Sequence, residues 1–328
     1  MLDIYGTLGP RCAERETLAR MFAAGMSGVR LNLSHVTLRH ASGQIEALHA
    51  AAADAGKRAQ LLIDLQGPEL RVGVLPEPLQ LNEGACATLG TGGIPIPALI
   101  LPALRPGQEV LLDDGKLLLE VTAANADTAE AKVRRGGMLQ SRKSIALPGL
   151  RLRPPTLTET DLENIRLASD FGVTAVMQPF VRDRRDLETV RAALDAAGGQ
   201  DIRLFAKIEN LDGVIHLPEL IAACDEIVIA RGDLGNAMPL WELPRVQKEI
   251  AAACRKAGRP FMVVTQMLAS MERSPVPTRA EVSDIFNAVL DGAASVMVTG
   301  ETAVGAYPVE VIRYLANTAA EALAYRER

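Results

Sequence analysis

Short apolar segments and amphipathic segments alternate along this chain. Each apolar segment is nearly free of polar residues, a pattern typical of a β-strand buried on both faces. Eight such strands are predicted, at Leu2–Tyr5, Gly28–Leu33, Gln60–Leu65, Thr174–Gln178, Arg203–Ile208, Glu226–Ala230, Phe261–Thr265 and Ser295–Thr299. Helical periodicity predicts eight helices, at Arg15–Ala24, Thr37–Ala55, Thr158–Asp170, Asp183–Ala197, Leu217–Ala223, Leu243–Ala257, Arg279–Asp291 and Val309–Arg328. The alternation predicts an α/β fold, the (β/α)8 TIM barrel.

The alternation is interrupted once, after the third strand. About ninety residues separate Asp64 from the helix near Thr158, and they contain short alternating runs bounded by Gly, Pro, Asn and Asp. Such runs are typical of antiparallel strands. We therefore expect a small antiparallel β-barrel domain inserted after strand 3, placed where it could act as a lid. The expected boundaries are residues 1–71 and 149–328 for the barrel and residues 72–148 for the insert.

Local signals support several of the predicted helix ends. Thr158 precedes Asp161 by three residues, which is a variant of the capping box at a helix N-terminus. Glycines stand where C-caps are expected after five helices, at Gly25, Gly56, Gly172, Gly258 and Gly292.

Composition argues against several classes of function. The chain has 328 residues, a formal net charge of −5 and 3% aromatic residues, so it lacks the basic excess and the stacking platforms of nucleic-acid-binding proteins. No segment has the roughly 18 consecutive apolar residues of a membrane span, and the N-terminus does not resemble a signal peptide. The four cysteines form no CxxC pair, and we expect them to be reduced in a cytoplasm.

Polar residues lie in the carboxyl-terminal parts of the predicted strands or just after them, at the end of the barrel where active sites lie. They are Arg30, Asn32, Ser34, His35, Asp64, Lys207, Glu209, Arg231, Asp233, Thr265, Gln266, Thr299 and Glu301. Lys207 is the most informative, because an ammonium group inside an apolar strand is costly unless it is paired or faces a polar cavity. We interpret it as a cation directed at a developing negative charge. A surface lysine at an edge position is the alternative.

Two carboxylates at neighbouring strand ends indicate a metal site. Glu209 and Asp233 would supply two hard oxygen ligands, which suit Mg²⁺ when water and substrate complete the coordination. Salt bridges from these carboxylates to Arg231 or Arg30 are the alternative. Gly232 would let an anion approach main-chain amides closely, although glycine-rich turns are common.

Nine short motifs, in order along the chain, resemble those of pyruvate kinases. They are Thr7–Pro10, Ala24–Met26, Arg30–His35, Asp64–Arg71, Lys207–Asn210, Ala230–Gly235, Thr265–Met271, Pro277–Glu281 and Gly300–Ala303. Each motif alone is a weak signal, but nine of them in one order are specific.

The resemblance implies phosphoryl transfer from phosphoenolpyruvate to ADP, giving pyruvate and ATP, with Mg²⁺ (or Mn²⁺) and K⁺ as cofactors. It implies that Arg30, Lys207 and Thr265 are catalytic and that they bind phosphoenolpyruvate together with Gly232 and Asp233. The implied ligands of the divalent metal are Glu209 and Asp233. The implied potassium ligands are Asn32, Ser34, Asp64 and the main chain of Leu65. The implied nucleotide-binding residues are Asn32, His35, Arg71 and Lys143.

The resemblance also bears on organisation and partners. Because the chain ends at the last predicted barrel helix, we expect the C-terminal regulatory domain of the family, and effector control with it, to be absent. The expected location is cytoplasmic. We expect no nucleic acid or membrane among the partners, and a homo-oligomer is compatible with membership of this family.

Two other functions stay open at this point. A metal-dependent lyase or aldolase that acts through a pyruvate enolate would use the same Mg²⁺, Lys207 and Arg30, without Arg71, Lys143 or K⁺. A non-catalytic regulator that binds a small carboxylate is the second alternative. The joint presence of Lys207 and two metal-binding carboxylates argues against it.

Overall fold

The computed structural model describes residues 2–113, 115–150 and 152–327, which form two compact units. The first unit comprises Met1–Gly67 and Thr156–Arg328, and the second comprises Pro68–Pro155. The insert boundaries expected from the sequence, 72 and 148, lie a few residues inside those of the second unit.

The described residues contain fifteen strands, eight of which close into a barrel. They are β1 (Asp3–Thr7), β2 (Gly28–Asn32), β3 (Gln60–Asp64), β4 (Leu79–Leu81), β5 (Cys86–Gly90), β6 (Glu109–Leu112), β7 (Leu117–Ala124), β8 (Thr128–Arg135), β9 (Gly137–Leu139), β10 (Ile145–Ala146), β11 (Ala175–Gln178), β12 (Arg203–Ile208), β13 (Glu226–Ala230), β14 (Phe261–Val264) and β15 (Ser295–Met297). The barrel has the order β1-β15-β14-β13-β12-β11-β3-β2, and every neighbouring pair is parallel. The predicted barrel is confirmed.

All eight predicted helices are present, with three short ones in addition. The helices are α1 (Arg15–Ala23), α2 (Ser42–Asp54), α3 (Glu159–Leu167), α4 (Arg184–Ala196), α5 (Leu211–Ile215), α6 (Leu217–Ala223), α7 (Arg231–Asn236), α8 (Leu243–Ala257), α9 (Arg279–Leu290), α10 (Gly300–Ala303) and α11 (Pro308–Arg326). The prediction that α2 begins at Thr37 is wrong. The Thr37 hydroxyl instead accepts the amide of His40 in a local turn, which competes with the helix. Within the described residues, no helix is both long and apolar enough to span a bilayer.

Two apolar cores lie on the two faces of the barrel strands. Alternate residues of a strand face opposite sides, so one set points to the barrel axis and the other to the helices. The inner core is formed by Tyr5, Leu62, Ala175, Met177, Phe205, Val228, Ala230, Met262, Val264 and Met297. The outer core is larger and joins the strands to the helices. Burial on both faces explains why the strands are apolar runs without alternation.

The second unit is built from antiparallel strands, as the sequence predicts, but its described strands form two separate sheets, so the prediction that they close into a β-barrel is wrong. Five strands form one sheet in the order β10-β6-β7-β8-β5, and β4 pairs with β9 in a separate two-stranded sheet. This unit has its own apolar core, which includes Leu89, Leu112, Leu119 and Val133.

A buried polar network occupies the amino ends of the barrel strands. The hydroxyl of Tyr5 donates to Gln60, and that of Ser295 donates to Glu226. Arg203 donates to the other oxygen of Glu226 at 2.8 Å. Burial raises the pKa of the Tyr5 hydroxyl and that of the Glu226 carboxyl. Because the donors and acceptors of this network hydrogen-bond to one another, we interpret the network as structural.

Asp186 fixes the segment where the chain re-enters the barrel unit. Its carboxylate accepts the hydroxyl of Thr156 at 2.6 Å, the main-chain amide of Arg182 at 2.9 Å and two guanidinium N–H groups of Arg182. Burial pushes the pKa of Asp186 upward, but these hydrogen bonds outweigh burial and hold it below its usual range. The ionised form therefore stabilises the fold.

We expect Asp186→Asn to destabilise the protein in a pH-dependent way. Since the pKa is lower in the folded state, the ionised carboxylate stabilises above the unfolded pKa of about 3.9, and this contribution is lost as the pH falls through the folded pKa. The variant should lose about 3 kcal/mol of unfolding free energy at pH 7 and progressively less below pH 4 or so. Urea unfolding at several pH values measures this. The exposed Asp170→Asn is the control, and an equal effect of both substitutions would contradict the assignment.

Candidate active site at the carboxyl ends of the barrel strands

Polar side chains replace the inner core toward the carboxyl ends of the strands. Thr7, Asp64 and Lys207 each lie two residues beyond an inner-core side chain and so point to the barrel axis. They are 4%, 2% and 9% exposed. The neighbours of Lys207 in the strand, Ala206 and Ile208, belong to the outer core. Strand alternation thus explains how an ammonium group lies within an apolar sequence, and the surface-edge alternative is wrong.

Lys207 lies between two buried carboxylates. Its Nζ is 3.0 Å from an oxygen of Asp64 and 2.9 Å from an oxygen of Glu209. Asp64 also accepts the Nε of Arg30 at 2.7 Å. The second oxygen of Glu209 accepts the main-chain amide of Phe180 at 2.8 Å. Four strand ends, those of β2, β3, β11 and β12, are therefore tied together by charge-assisted hydrogen bonds.

The pKa shifts in this cluster reflect competition between burial and charge. Burial alone would lower the pKa of Lys207, but Asp64 and Glu209 outweigh it and raise that pKa. Burial would raise the pKa of Asp64, but Lys207 and Arg30 lower it. Lys207 is therefore charged and Asp64 ionised at neutral pH.

Glu209 is affected in the opposite direction. Burial raises the pKa of Glu209, the charge of Lys207 opposes the shift, and the charges of Asp233 and Asp64 add to it. Because burial and the nearby negative charges both favour the protonated form of Glu209, a cation bound beside these carboxylates would favour its ionised form.

Gly232 and Asp233 lie in the first turn of α7, which follows β13 directly. The structure thus includes both residues in a short helix. A Cβ atom at Gly232 would be 3.0 Å from the Cγ2 of Thr265, so glycine lets the two strand ends approach without a shift of that side chain. Thr265 is half-buried and has a backbone φ of 82°.

The proposed potassium ligands come from adjoining segments of β2 and β3. Asn32 is the register partner of Asp64, so their side chains emerge side by side. The side-chain oxygen of Asn32 accepts the amide of Ser34 at 3.1 Å. The amide of Leu65 donates to the carbonyl of Met177 at 3.1 Å.

The proposed nucleotide-binding residues lie in both units. His35 is exposed, and its amide donates to the carbonyl of Asn32 at 3.3 Å. Arg71 and Lys143 belong to the second unit, where the amide of Val72 donates to the carbonyl of Lys143 at 2.8 Å. The two cations thus lie on adjoining segments of that unit. Within it, Arg71 pairs with Glu69, and Lys143 pairs with Asp113 at 2.9 Å.

For Glu209, the salt bridge offered as an alternative to a metal site is not the one that forms. Arg231 pairs with Asp284 of α9 at 2.7 Å, and Arg30 pairs with Asp64. Glu209 pairs with Lys207. Among the described residues, no group of three or more His, Cys, Asp or Glu side chains is arranged to hold a metal. A divalent cation here would take two protein carboxylates at most.

Sequence reasoning assigned Asp161 to the capping box of Thr158 but missed its second role near this site. Asp161 is buried and accepts the amides of Gln66 at 2.8 Å, Gly67 at 3.0 Å and Thr158 at 2.9 Å. The capping-box prediction at Thr158 is confirmed and could have drawn attention to it. Nothing in the local sequence indicates that the same carboxylate also anchors the chain after β3.

Comparison with known proteins agrees with this geometry. The family model described as "Pyruvate kinase, barrel domain" matches residues 2–312. A pyruvate kinase of Aeropyrum pernix is 37% identical over 324 residues, covering 98% of this chain and 70% of that protein. Those of Geobacillus stearothermophilus and Chlamydia pneumoniae are 37% and 36% identical, and the matches cover 55% and 68% of their lengths. The chain thus spans between about half and somewhat over two thirds of these relatives. On this evidence the chain belongs to the pyruvate kinase family.

Proposed function

We propose that the protein transfers a phosphoryl group from phosphoenolpyruvate to ADP, giving pyruvate and ATP. The observation that supports this most directly is the buried Lys207, held by Asp64 and Glu209 at the carboxyl end of the barrel. A buried, charged lysine in that position suits a reaction that develops negative charge on its substrate. Family membership supports the same substrates.

The chemistry requires little from the protein beyond positioning and positive charge. The bond between phosphorus and the enol oxygen of phosphoenolpyruvate breaks, and a β-phosphate oxygen of ADP bonds to the phosphorus. The enolate that remains takes a proton at carbon to become pyruvate. Lys207 and Arg30 offset negative charge on the phosphoryl group and on the enolate. Thr265 orients the substrate and contributes to the protonation of the enolate.

The residues at the site fit a divalent cation, Mg²⁺ or Mn²⁺, held by Glu209 and Asp233. A carboxylate has about four lone-pair positions, and the hydrogen bonds from Lys207 and Phe180 use one on each oxygen of Glu209. Each oxygen keeps a position for a metal. When bound, the cation supplies Lewis-acid stabilisation of the substrate oxygens.

Potassium is proposed to bind beside this cluster. Its ligands would be Asn32, Ser34, Asp64 and the main chain of Leu65, all of which offer oxygen atoms and lie on neighbouring segments. The ion would supply additional positive charge next to the phosphoryl group. His35, Arg71, Lys143 and Asn32 are proposed to face the phosphates of the nucleotide.

A cytoplasmic location is proposed from the cysteines. All four are free, and Cys86 is exposed. Burial raises the pKa of Cys12 to about 11, which keeps that thiol protonated and unreactive. Free thiols in this number suit a reducing compartment.

The test is an assay of pyruvate formation from phosphoenolpyruvate and ADP. We expect turnover that requires Mg²⁺ or Mn²⁺ and that increases when K⁺ replaces tetramethylammonium. Absence of turnover under every ion condition would overturn the proposal. Pyruvate release from a 2-keto-4-hydroxy acid without nucleotide would instead support a lyase.

A further inference from the structure

We propose that Arg231 and Asp284 form a clamp that holds Thr265 in the backbone conformation required for turnover. Both would be positioning residues that act through Thr265. The inference deepens the proposed function and rests on it for the role of Thr265. It is argued from the conformation of Thr265, the contacts of Arg231 and the attachment of α9.

Thr265 is strained. Its φ is 82° and that of Gln266 is 54°, so two consecutive residues with side chains lie in the left-handed region directly after β14. This region is unfavourable for any residue other than glycine, and more so for a β-branched one. Such a conformation persists only where the surrounding contacts impose it.

Arg231 supplies those contacts. Its Nε and Nη2 donate to the carbonyl oxygen of Thr265 at 3.2 and 2.7 Å, and Nη2 also lies 3.0 Å from the sulfur of Met267. The Arg231 side chain is 13% exposed, so water competes poorly for these hydrogen bonds. The planar, forked geometry directs both donors to one carbonyl, which a lysine ammonium cannot reproduce.

Asp284 holds the guanidinium in place. Asp284 lies in α9, 53 residues beyond Arg231 in the sequence. Its carboxylate accepts a hydrogen bond from Nη1 of Arg231 at 2.7 Å. One turn earlier in the same helix, Glu281 accepts the amide and the hydroxyl of Ser270 at 2.7 and 2.6 Å. The segment after β14 is therefore attached to α9 at two points.

Gly232 completes the arrangement on the other side of Thr265. A side chain there would displace the Cγ2 of Thr265, since an added Cβ would be only 3.0 Å away. The hydrogen bonds from Arg231 thus hold the carbonyl of Thr265 near the end of β13, and Gly232 leaves space for the side chain of Thr265. A displacement of about 1 Å at a group that positions substrate is enough to slow turnover strongly.

The clamp predicts a specific kinetic pattern. Arg231→Lys should lower kcat about 30-fold, with KM for phosphoenolpyruvate changed less than about threefold. Asp284→Ala should lower kcat about tenfold, and Asp284→Asn less, because the amide oxygen still accepts a hydrogen bond. The double variant R231K/D284A should lose about as much as R231K alone, since both act as one unit.

Controls separate this role from general destabilisation. Glu249 pairs with Arg245 on the outside of α8, where both side chains are more than half exposed, so Glu249→Ala should leave kcat unchanged. Tm is measured for every variant. The clamp would be overturned if kcat falls only in proportion to the loss of folded protein. It would also be overturned if kcat is unchanged in R231K and D284A.

A crystal structure of Asp284→Ala gives a readout that does not depend on activity. We expect Thr265 to leave the left-handed region or to adopt more than one conformation, and an unchanged, fully ordered Thr265 would overturn the clamp. If the wild-type protein forms no pyruvate, the proposed function fails. The conformation of Thr265 in this variant then still decides whether the clamp exists.

Discussion

Replacing Lys207 by methionine is expected to lower kcat for pyruvate formation about 1,000-fold or more. The ammonium group is charged and buried, because Asp64 and Glu209 raise its pKa despite the desolvation. Positive charge in a site from which water is excluded acts strongly on a transition state that develops negative charge. Steady-state rates at saturating phosphoenolpyruvate measure the effect.

The stability of this variant must be measured beside its activity. Removing one partner of a buried ion pair costs about 3–5 kcal/mol, because a buried charge is left without compensation. Lys207→Arg keeps the positive charge, and we expect it to fold with a nearly unchanged Tm and still to be much less active. Lys248→Met removes a lysine whose side chain is 54% exposed and should be normal in both respects. Normal turnover of Lys207→Met would place the active site elsewhere.

The second large effect is expected on metal binding. Glu209→Gln should weaken the binding of Mn²⁺ at least about 100-fold, because one of two carboxylate ligands becomes a neutral amide. The variant also removes one negative charge from the cluster, which lowers its attraction for any cation. Electron paramagnetic resonance of free Mn²⁺ in a titration measures the affinity without any turnover.

A matched control lies at the other end of the same barrel. Glu226 is also 3% exposed and also has a pKa raised by burial, but its partners are Ser295 and Arg203. Glu226→Gln should bind Mn²⁺ like the wild type. Equal loss of binding in both variants would mean that burial and fold integrity, and not ligation by Glu209, control the titration.

Much of the site could be predicted from particular residues. Lys207 is conspicuous because a charged residue interrupts an apolar strand. The structure places its side chain toward the barrel axis, near the carboxyl ends of the strands. The capping box at Thr158 is a spacing signal and forms as predicted. The end of β14 could not be predicted in the same way. The predicted strand extends through Thr265, and a β-branched residue gives no indication that it will adopt a φ of 82°.

By itself, the sequence determined the order of strands and helices, the inserted antiparallel segment and the candidate charged residues. Those features depend on residues two to four positions apart, and such spacing is visible in any single segment. Only the tertiary structure decided which charges pair. Lys207 and Asp64 are 143 residues apart, and Arg231 and Asp284 are 53 apart. Their contacts arise from strand register and helix packing around a closed barrel, which no local pattern encodes.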